Sequence, residues 1–166
     1  IPDGYEVIDA NGLVVAPGFI DLHTHLRVPG EEHKETIASG TLAAARGGFT
    51  TVCAMPNTHP ALDRPSVINL MMKMVQGTAV IRVLPIAAVT MGRNGEHLTD
   101  FSELASAGVV GFSDDGDPVY NPSLMRHALE RSVALELPII NHCQELSMTR
   151  GAQINDGVFS SRLGLI

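Results

Sequence analysis

Two histidines one residue apart give this sequence its strongest chemical signal: His23 and His25 flank Thr24 in the stretch Phe19-Ile-Asp-Leu-His-Thr-His25. In a β-strand, residues two apart share a face, so Asp21, His23 and His25 would line one side. Neutral imidazole is a common metal ligand, and two on one rigid strand make half of a divalent-metal site. One of Asp114 and Asp115, and His142, could contribute the rest. Taken singly, His142 reads as a core histidine and Asp114-Asp115-Gly116 as a turn. Their weight comes from position: each follows an apolar, strand-like run, as the two leading histidines do. Nitrogen and carboxylate donors suit zinc, with manganese, iron or cobalt as alternatives. A carboxylate between imidazoles can bridge two ions ~3.5–4 Å apart, a setting that lowers the pKa of bound water from 15.7 toward about 7.

Other polar residues cluster at the same ends. Arg27, on the segment leaving the first strand, has a guanidinium able to grip a carboxylate bidentately. Asn57, in Met55-Pro-Asn-Thr58, can both donate to and accept from a small polar substrate. Asp21 is either a partner supporting a ligating histidine or a plain strand-end residue. His33, His59, His97 and His127 show no ligand spacing and are expected to face solvent. Cys53 lies in an apolar run and is expected in the core. Cys143 adjoins His142, so it should face the other way and pack on the outer face.

The elements that must position these groups alternate along the chain. Strand one is expected over Phe19–His25, followed by the Pro29-Gly30 turn and a helix over about 34–46 that stops at Gly47-Gly48. Strand two, Phe49–Met55, runs into the polar loop Pro56–Pro60. A second helix starts at Asp63-Arg-Pro65 and runs to Gln76-Gly77. Strand three is expected over about 79–88. A short helix capped by Asp100, with Glu103 at capping-box spacing, ends near Gly108. Strand four, Val109–Ser113, precedes a helix with Asn121 as cap and Pro122 at its first position, reaching about Glu136. Strand five is Pro138–Cys143, and a further loop or helix follows. Before all this, Asn11-Gly12 marks a turn and Leu13–Ala16 a short strand.

Near-continuous apolar strands alternating with helices predict an α/β fold with a parallel sheet covered on both faces. No glycine-rich phosphate fingerprint follows strand one, which argues against a doubly wound dinucleotide fold. Polar residues at the C-terminal ends of strands one, two, four and five are barrel behaviour. The expectation is a partial (β/α)8 TIM-type barrel over 17–166, about five of eight βα units, with residues 1–16 as the end of a small β domain.

Bulk properties narrow the function classes. The 166 residues are 45% hydrophobic and 17% charged, enough to bury a core. The net charge of -7 argues against a nucleic-acid surface. No apolar run approaches the ~20 residues of a membrane span. Ile1-Pro-Asp-Gly4 has neither the basic nor the apolar region of a signal peptide. Two cysteines make no disulfide framework, which fits a reducing, cytoplasmic setting.

The motifs together resemble the amidohydrolase superfamily, and within it the dihydroorotases of the longer, bacterial-type class. Pro17-Gly-Phe-Ile-Asp-Leu-His-Thr-His-Leu-Arg27 with Pro29-Gly30 is similar to that family's signature. Met55-Pro-Asn-Thr58, Phe112-Ser-Asp-Asp-Gly116 and Asn141-His-Cys-Gln-Glu145 are similar to its later motifs. The resemblance implies one or two zinc ions, with His23 and His25 holding the first, Asp115 bridging and His142 helping to hold the second. It implies Arg27 and Asn57, with His25 nearby, as orienting the substrate carboxylate. The implied reaction is the reversible cyclisation of N-carbamoyl-L-aspartate to dihydroorotate, a step of pyrimidine biosynthesis. A further histidine on strand six and a general acid/base aspartate on strand eight are expected downstream of Ile166, so no catalytic proton-transfer residue is assigned within 1–166. Residues 1–16 then correspond to part of a flanking β-sandwich, and the 166-residue chain alone is expected to be inactive and prone to self-association. Allantoinase- or hydantoinase-like cyclic amidases are the nearest alternative. A non-catalytic dihydroorotase-like subunit of an aspartate transcarbamoylase complex is another. The resemblance also admits a homodimer.

Overall fold

The computed structural model describes residue 4 and residues 6–165. Its sheet has three parallel strands in the order β1 (Phe19–Thr24), β2 (Phe49–Ala54), β3 (Arg82–Pro85). Parallel neighbours need a crossover, and α1 (Ile37–Arg46) and α2 (Pro65–Thr78) supply the two here. Beyond β3 the ladder continues through single parallel bridges, Ala87 with Phe112 and Phe112 with Ile139. The N–H groups of Ser113 and Ile140 donate to the carbonyls of Ala87 and Phe112, each at 2.8 Å. Helix α3 (Phe101–Ser106) lies between the first two bridge positions, and α4 (Pro122–Ala134) between the last two. Two short helices follow, α5 (Leu146–Thr149) and α6 (Val158–Leu163).

The chain is therefore an α/β fold on a parallel sheet, but its strands are shorter than the hydrophobic runs suggest. β3 covers four residues rather than the expected 79–88, and the runs 109–113 and 138–143 contribute bridge residues rather than full strands. Proline is one physical reason: Pro85 and Pro138 lack the N–H that a continuing ladder needs. Leu13–Ala16 forms no strand either. The Asn11-Gly12 turn is present, with Leu13 N–H donating to Ala10 O (3.0 Å), but Leu13, Val14 and Val15 are exposed. A strand needs a neighbour for its backbone groups, and none lies alongside among the described residues.

Local chemistry sets the helix ends. α1 begins at Ile37 rather than near Lys34, because Thr36 and Ser39 form a reciprocal capping box, each side-chain oxygen accepting the other's backbone N–H at 3.1 and 3.0 Å. α2 starts at Pro65 as expected but passes through Gly77 to Thr78. Asp100 caps α3 by accepting from Glu103 N–H (3.0 Å), and Asn121 caps α4 by accepting from Ser123 and Leu124 N–H.

The main core lies between sheet and helices. Val52, Ala54 and Val83 meet Ile68 and Met71 of α2, with Leu62, Leu104 and Phe112 beside them. Phe101 stacks on Phe112 at 3.9 Å between ring centroids, fixing α3 against the chain that leads to Asp114 and Asp115. The alternate residues Cys53, Met55 and Ile86 form a smaller cluster, on the opposite sheet face by strand periodicity. At the free edge of β1, Phe19, Ile20 and Leu22 are exposed. Among the described residues no helix is long and apolar enough to cross a membrane.

Candidate metal centre

The site starts where β1 ends. The Thr24 hydroxyl donates to Cys53 O (2.8 Å), and Met55 N–H donates to Thr24 O (2.9 Å). Those bonds tie the backbone between the two histidines to β2. The His23 and His25 rings then stand edge to face, their centroids 5.2 Å apart. Asp21 takes no part in orienting a ring: its carboxylate accepts from the His23 backbone N–H (3.0 Å). The β1–β2 ladder shifts register between Asp21 and Thr24, so the regular alternation expected through Asp21, His23 and His25 is interrupted.

The two consecutive aspartates point opposite ways. Asp114 turns into the protein, where Oδ1 accepts from the N–H groups of Val89 (2.8 Å) and Thr90 (3.0 Å), and Oδ2 accepts from the Thr90 hydroxyl. Burial pushes its carboxyl up from the ordinary range, against the opposing pull of those hydrogen bonds. Asp115, whose N–H donates to Ser113 Oγ (3.1 Å), faces the histidines. Its Oδ1 lies 3.2 Å from His23 Nε2 and 3.4 Å from His142 Nδ1, and its Oδ2 lies 3.5 Å from His25 Nε2. The Asp115 side chain is 8% exposed, and those of His23, His25 and His142 are 48%, 29% and 31% exposed. Three imidazoles from two distant stretches thus surround one nearly buried carboxylate.

Asn57 joins this group. Its Nδ2 donates to Asp115 Oδ2 (3.3 Å), and its Oδ1 lies 2.9 Å from His25 Nδ1. A carboxylate only accepts, so the amide nitrogen faces Asp115 and the amide oxygen must accept from His25 Nδ1–H. Neutral His25 then presents the Nε2 lone pair to an anion 3.5 Å away. Those two groups repel unless something positive lies between them. His23, His25 and Asp115 offer donor atoms that all lie within 4.8 Å of one another. Two nitrogens and a carboxylate oxygen at that spacing fit a divalent cation of intermediate softness.

Arg27 stands beside the cluster rather than in it. Its backbone is left-handed (φ 61°), and its Nη1 lies 3.6 Å from Glu31 Oε2. Glu31 also accepts from the Lys34 ammonium, which holds its carboxyl below the usual range. The loop carrying Arg27 fits closely against the loop carrying Asn57. His59 N–H donates to Pro29 O (3.0 Å), and Gly30 (φ +101°) leaves no space for a side chain beneath the His59 carbonyl.

His33, His59, His97 and His127 are all exposed, as their spacing suggests. Cys53 is buried, and burial pushes its thiol up. Cys143 departs from expectation: it is exposed rather than packed, because the segment beyond Ile140 leaves the ladder. Sequence reasoning assigned nothing to Thr90, which holds Asp114 from 24 residues away; no local pattern marks such a partner.

Comparison with known proteins agrees with these motifs. Residues 12–166 match the dihydro-orotase-like family. The dihydroorotase of Geobacillus thermodenitrificans is 48% identical over 163 residues, 98% of this chain and 38% of the relative. The dihydroorotases of Bacillus caldolyticus and Aquifex aeolicus are 49% and 48% identical over 160 residues, each 96% of this chain and 38% of the relative. This chain therefore spans about 38% of the length of those relatives. Among solved structures, the L-hydantoinase (dihydropyrimidinase) of Arthrobacter aurescens superposes with a TM-score of 0.69 at 20% identity, over 81% of this chain and 31% of the other. That likeness extends the agreement to the fold. With the match running from residue 12 to residue 166 and taking in both histidine motifs, this chain belongs to the dihydro-orotase-like family.

Proposed function

We propose that this chain is part of a zinc-dependent dihydroorotase, which interconverts N-carbamoyl-L-aspartate and dihydroorotate with loss or gain of water. One observation carries the reading: His23, His25 and His142 converge on Asp115. His23 and His25 are assigned to the first zinc, Asp115 to a bridge, and His142 to a second zinc. The bound metal would supply a Lewis acid for the ring amide carbonyl and acidify a water. Asn57 holds His25 in the tautomer whose Nε2 is free, and holds Asp115 in place. Arg27, Asn57 and His25 are assigned to the substrate carboxylate. To serve, Arg27 exchanges its Glu31 partner for that carboxylate, a trade of one charge-assisted contact for a better bidentate one. The general acid/base aspartate and a further histidine ligand are assigned to sequence beyond Ile166, with residues 17–166 forming the first five βα units of an eight-unit barrel. Residues 1–16 are assigned to the edge of a flanking β domain.

The test is made on the full-length protein. Chelation should abolish turnover of dihydroorotate and zinc should restore it, with allantoin and simple hydantoins turned over far more slowly. Equal turnover of the neutral rings would move the assignment to a hydantoinase-type amidase. Absence of bound zinc at neutral pH would favour a non-catalytic partner of aspartate transcarbamoylase. Light scattering of the purified protein, alone and mixed with that enzyme, measures both the homodimer and the complex.

A further inference from the structure

His142 carries a hydrogen-bonded chain on the side of its ring away from Asp115. Its Nε2 lies 3.0 Å from Gln144 Oε1. Gln144 Nε2 donates to Thr149 Oγ1 (3.0 Å), and that hydroxyl donates to the Glu145 backbone carbonyl (3.1 Å). A backbone carbonyl can only accept, so the direction of the whole chain is read from that end. The Thr149 proton goes to Glu145 O, its oxygen accepts from the Gln144 amide nitrogen, and Gln144 Oε1 is left to accept from His142 Nε2–H. The proton of the neutral ring is therefore on Nε2, and Nδ1 carries the lone pair that faces Asp115 Oδ1 at 3.4 Å. His25 is held the opposite way round, through Nδ1. Two side-chain amides thus fix opposite tautomers so that both free nitrogens point at one carboxylate.

We propose that Gln144, tethered through Thr149, the last residue of α5, to the carbonyl of its N-cap Glu145, is a positioning residue that fixes His142 with Nδ1 as its metal-binding atom. The role rests on the metal-centre assignment made above. Outer partners of ligating histidines are generally worth 10–100-fold in metal affinity. Without Gln144, the nearest acceptor for the ring proton is Asp115, which would draw it onto Nδ1 and remove the donor lone pair.

The experiment uses the full-length protein with Gln144→Leu, Gln144→Glu and Thr149→Val. Zinc affinity is measured by chelator competition, and the His142 tautomer by nitrogen-15 NMR of the metal-free protein with the ring neutral. Gln144→Leu should weaken zinc binding about 10–100-fold and shift ring proton from Nε2 toward Nδ1. Gln144→Glu keeps an acceptor in place and should bind zinc as well as the parent. Thr149→Val should fall between. Zinc affinity in Gln144→Leu within twofold of the parent, or equal losses in the Leu and Glu variants, overturns the proposal. A ring proton on Nδ1 in the parent overturns it as well, whatever zinc does. A parent that binds no zinc but keeps the proton on Nε2 refutes the metal assignment and leaves the tautomer lock intact.

Discussion

Replacing either member of the Asp114-Asp115 pair by alanine should produce opposite signatures, although the residues are adjacent. Asp114 accepts from two buried N–H groups and a buried hydroxyl. Asp114→Ala leaves all three without a partner, at roughly 1–3 kcal/mol each where no water enters. Allowing for relaxation, the loss is about 3–5 kcal/mol of folding stability. Asp114→Asn keeps an oxygen for the backbone donors and should lose only about 1–2 kcal/mol. Asp115 faces three imidazoles at 3.2–3.5 Å, and with the His25 and His142 lone pairs turned toward it those contacts add little to the stability of the metal-free protein. Asp115→Ala should therefore change stability by less than about 1 kcal/mol. It should lower zinc affinity at least a hundredfold, about 2.8 kcal/mol at 1.4 kcal/mol per decade. Urea unfolding followed by circular dichroism gives the first quantity, and chelator competition the second. If Asp115→Ala unfolds the protein as readily as Asp114→Ala, or if Asp114→Ala leaves the unfolding midpoint unchanged, the division of labour argued from the two carboxylates is wrong.

Three further outcomes follow from the loops around the site. If the proposed dihydroorotase assignment holds, Arg27→Ala in the full-length protein should raise KM for dihydroorotate at least tenfold with a smaller change in kcat, measured by steady-state kinetics; an unchanged KM removes Arg27 from substrate binding. Gly30→Ala would set a Cβ 2.0 Å from His59 O on a φ of +101°. It should destabilise by about 1–3 kcal/mol and raise KM as well, because the Arg27 loop must move; a calorimetric scan and the same kinetics check both. Asp63 is buried and accepts from Gly92 N–H (2.8 Å) and the Arg64 guanidinium. Although burial pushes its carboxyl up, those partners hold it below its reference value of 3.8. A lowered folded pKa means stability present above the unfolded value and lost as pH falls through the folded one. Asp63→Asn should thus cost about 1 kcal/mol at neutral pH, with the exposed Arg64 share discounted. The gap to the parent should narrow as pH falls below 3.8 and through the lowered folded value, and urea midpoints that stay equally separated as pH falls from 7 through that range would contradict it.

Much of this protein is legible locally. Caps at Asp100 and Asn121 and the proline starts at 65 and 122 announce helices because they act within one turn of chain. The alternation of apolar runs with helices fixes a parallel α/β sheet, since parallel neighbours must be joined by crossovers. His23 and His25 advertise themselves because a strand repeats every two residues. Strand lengths are less legible: Pro85 and Pro138 sit in runs whose hydrophobicity looks strand-like but lack the N–H that a continuing ladder needs.

By itself the sequence determined the inventory of donors and the placing of His23 and His25 at the end of the first strand, because both follow from residue type and short-range periodicity. Residue type and spacing leave Asp114 and Asp115 open and the family resemblance points to Asp115; the tertiary structure supplies the physical reason, since Asp114 is captured by Thr90 and Asp115 is left facing His23, His25 and His142. It also decided which ring nitrogen is free. That choice depends on Asn57, 32 residues from His25 and 58 from Asp115, and a proton's position on an imidazole is set by whatever acceptor folding brings alongside.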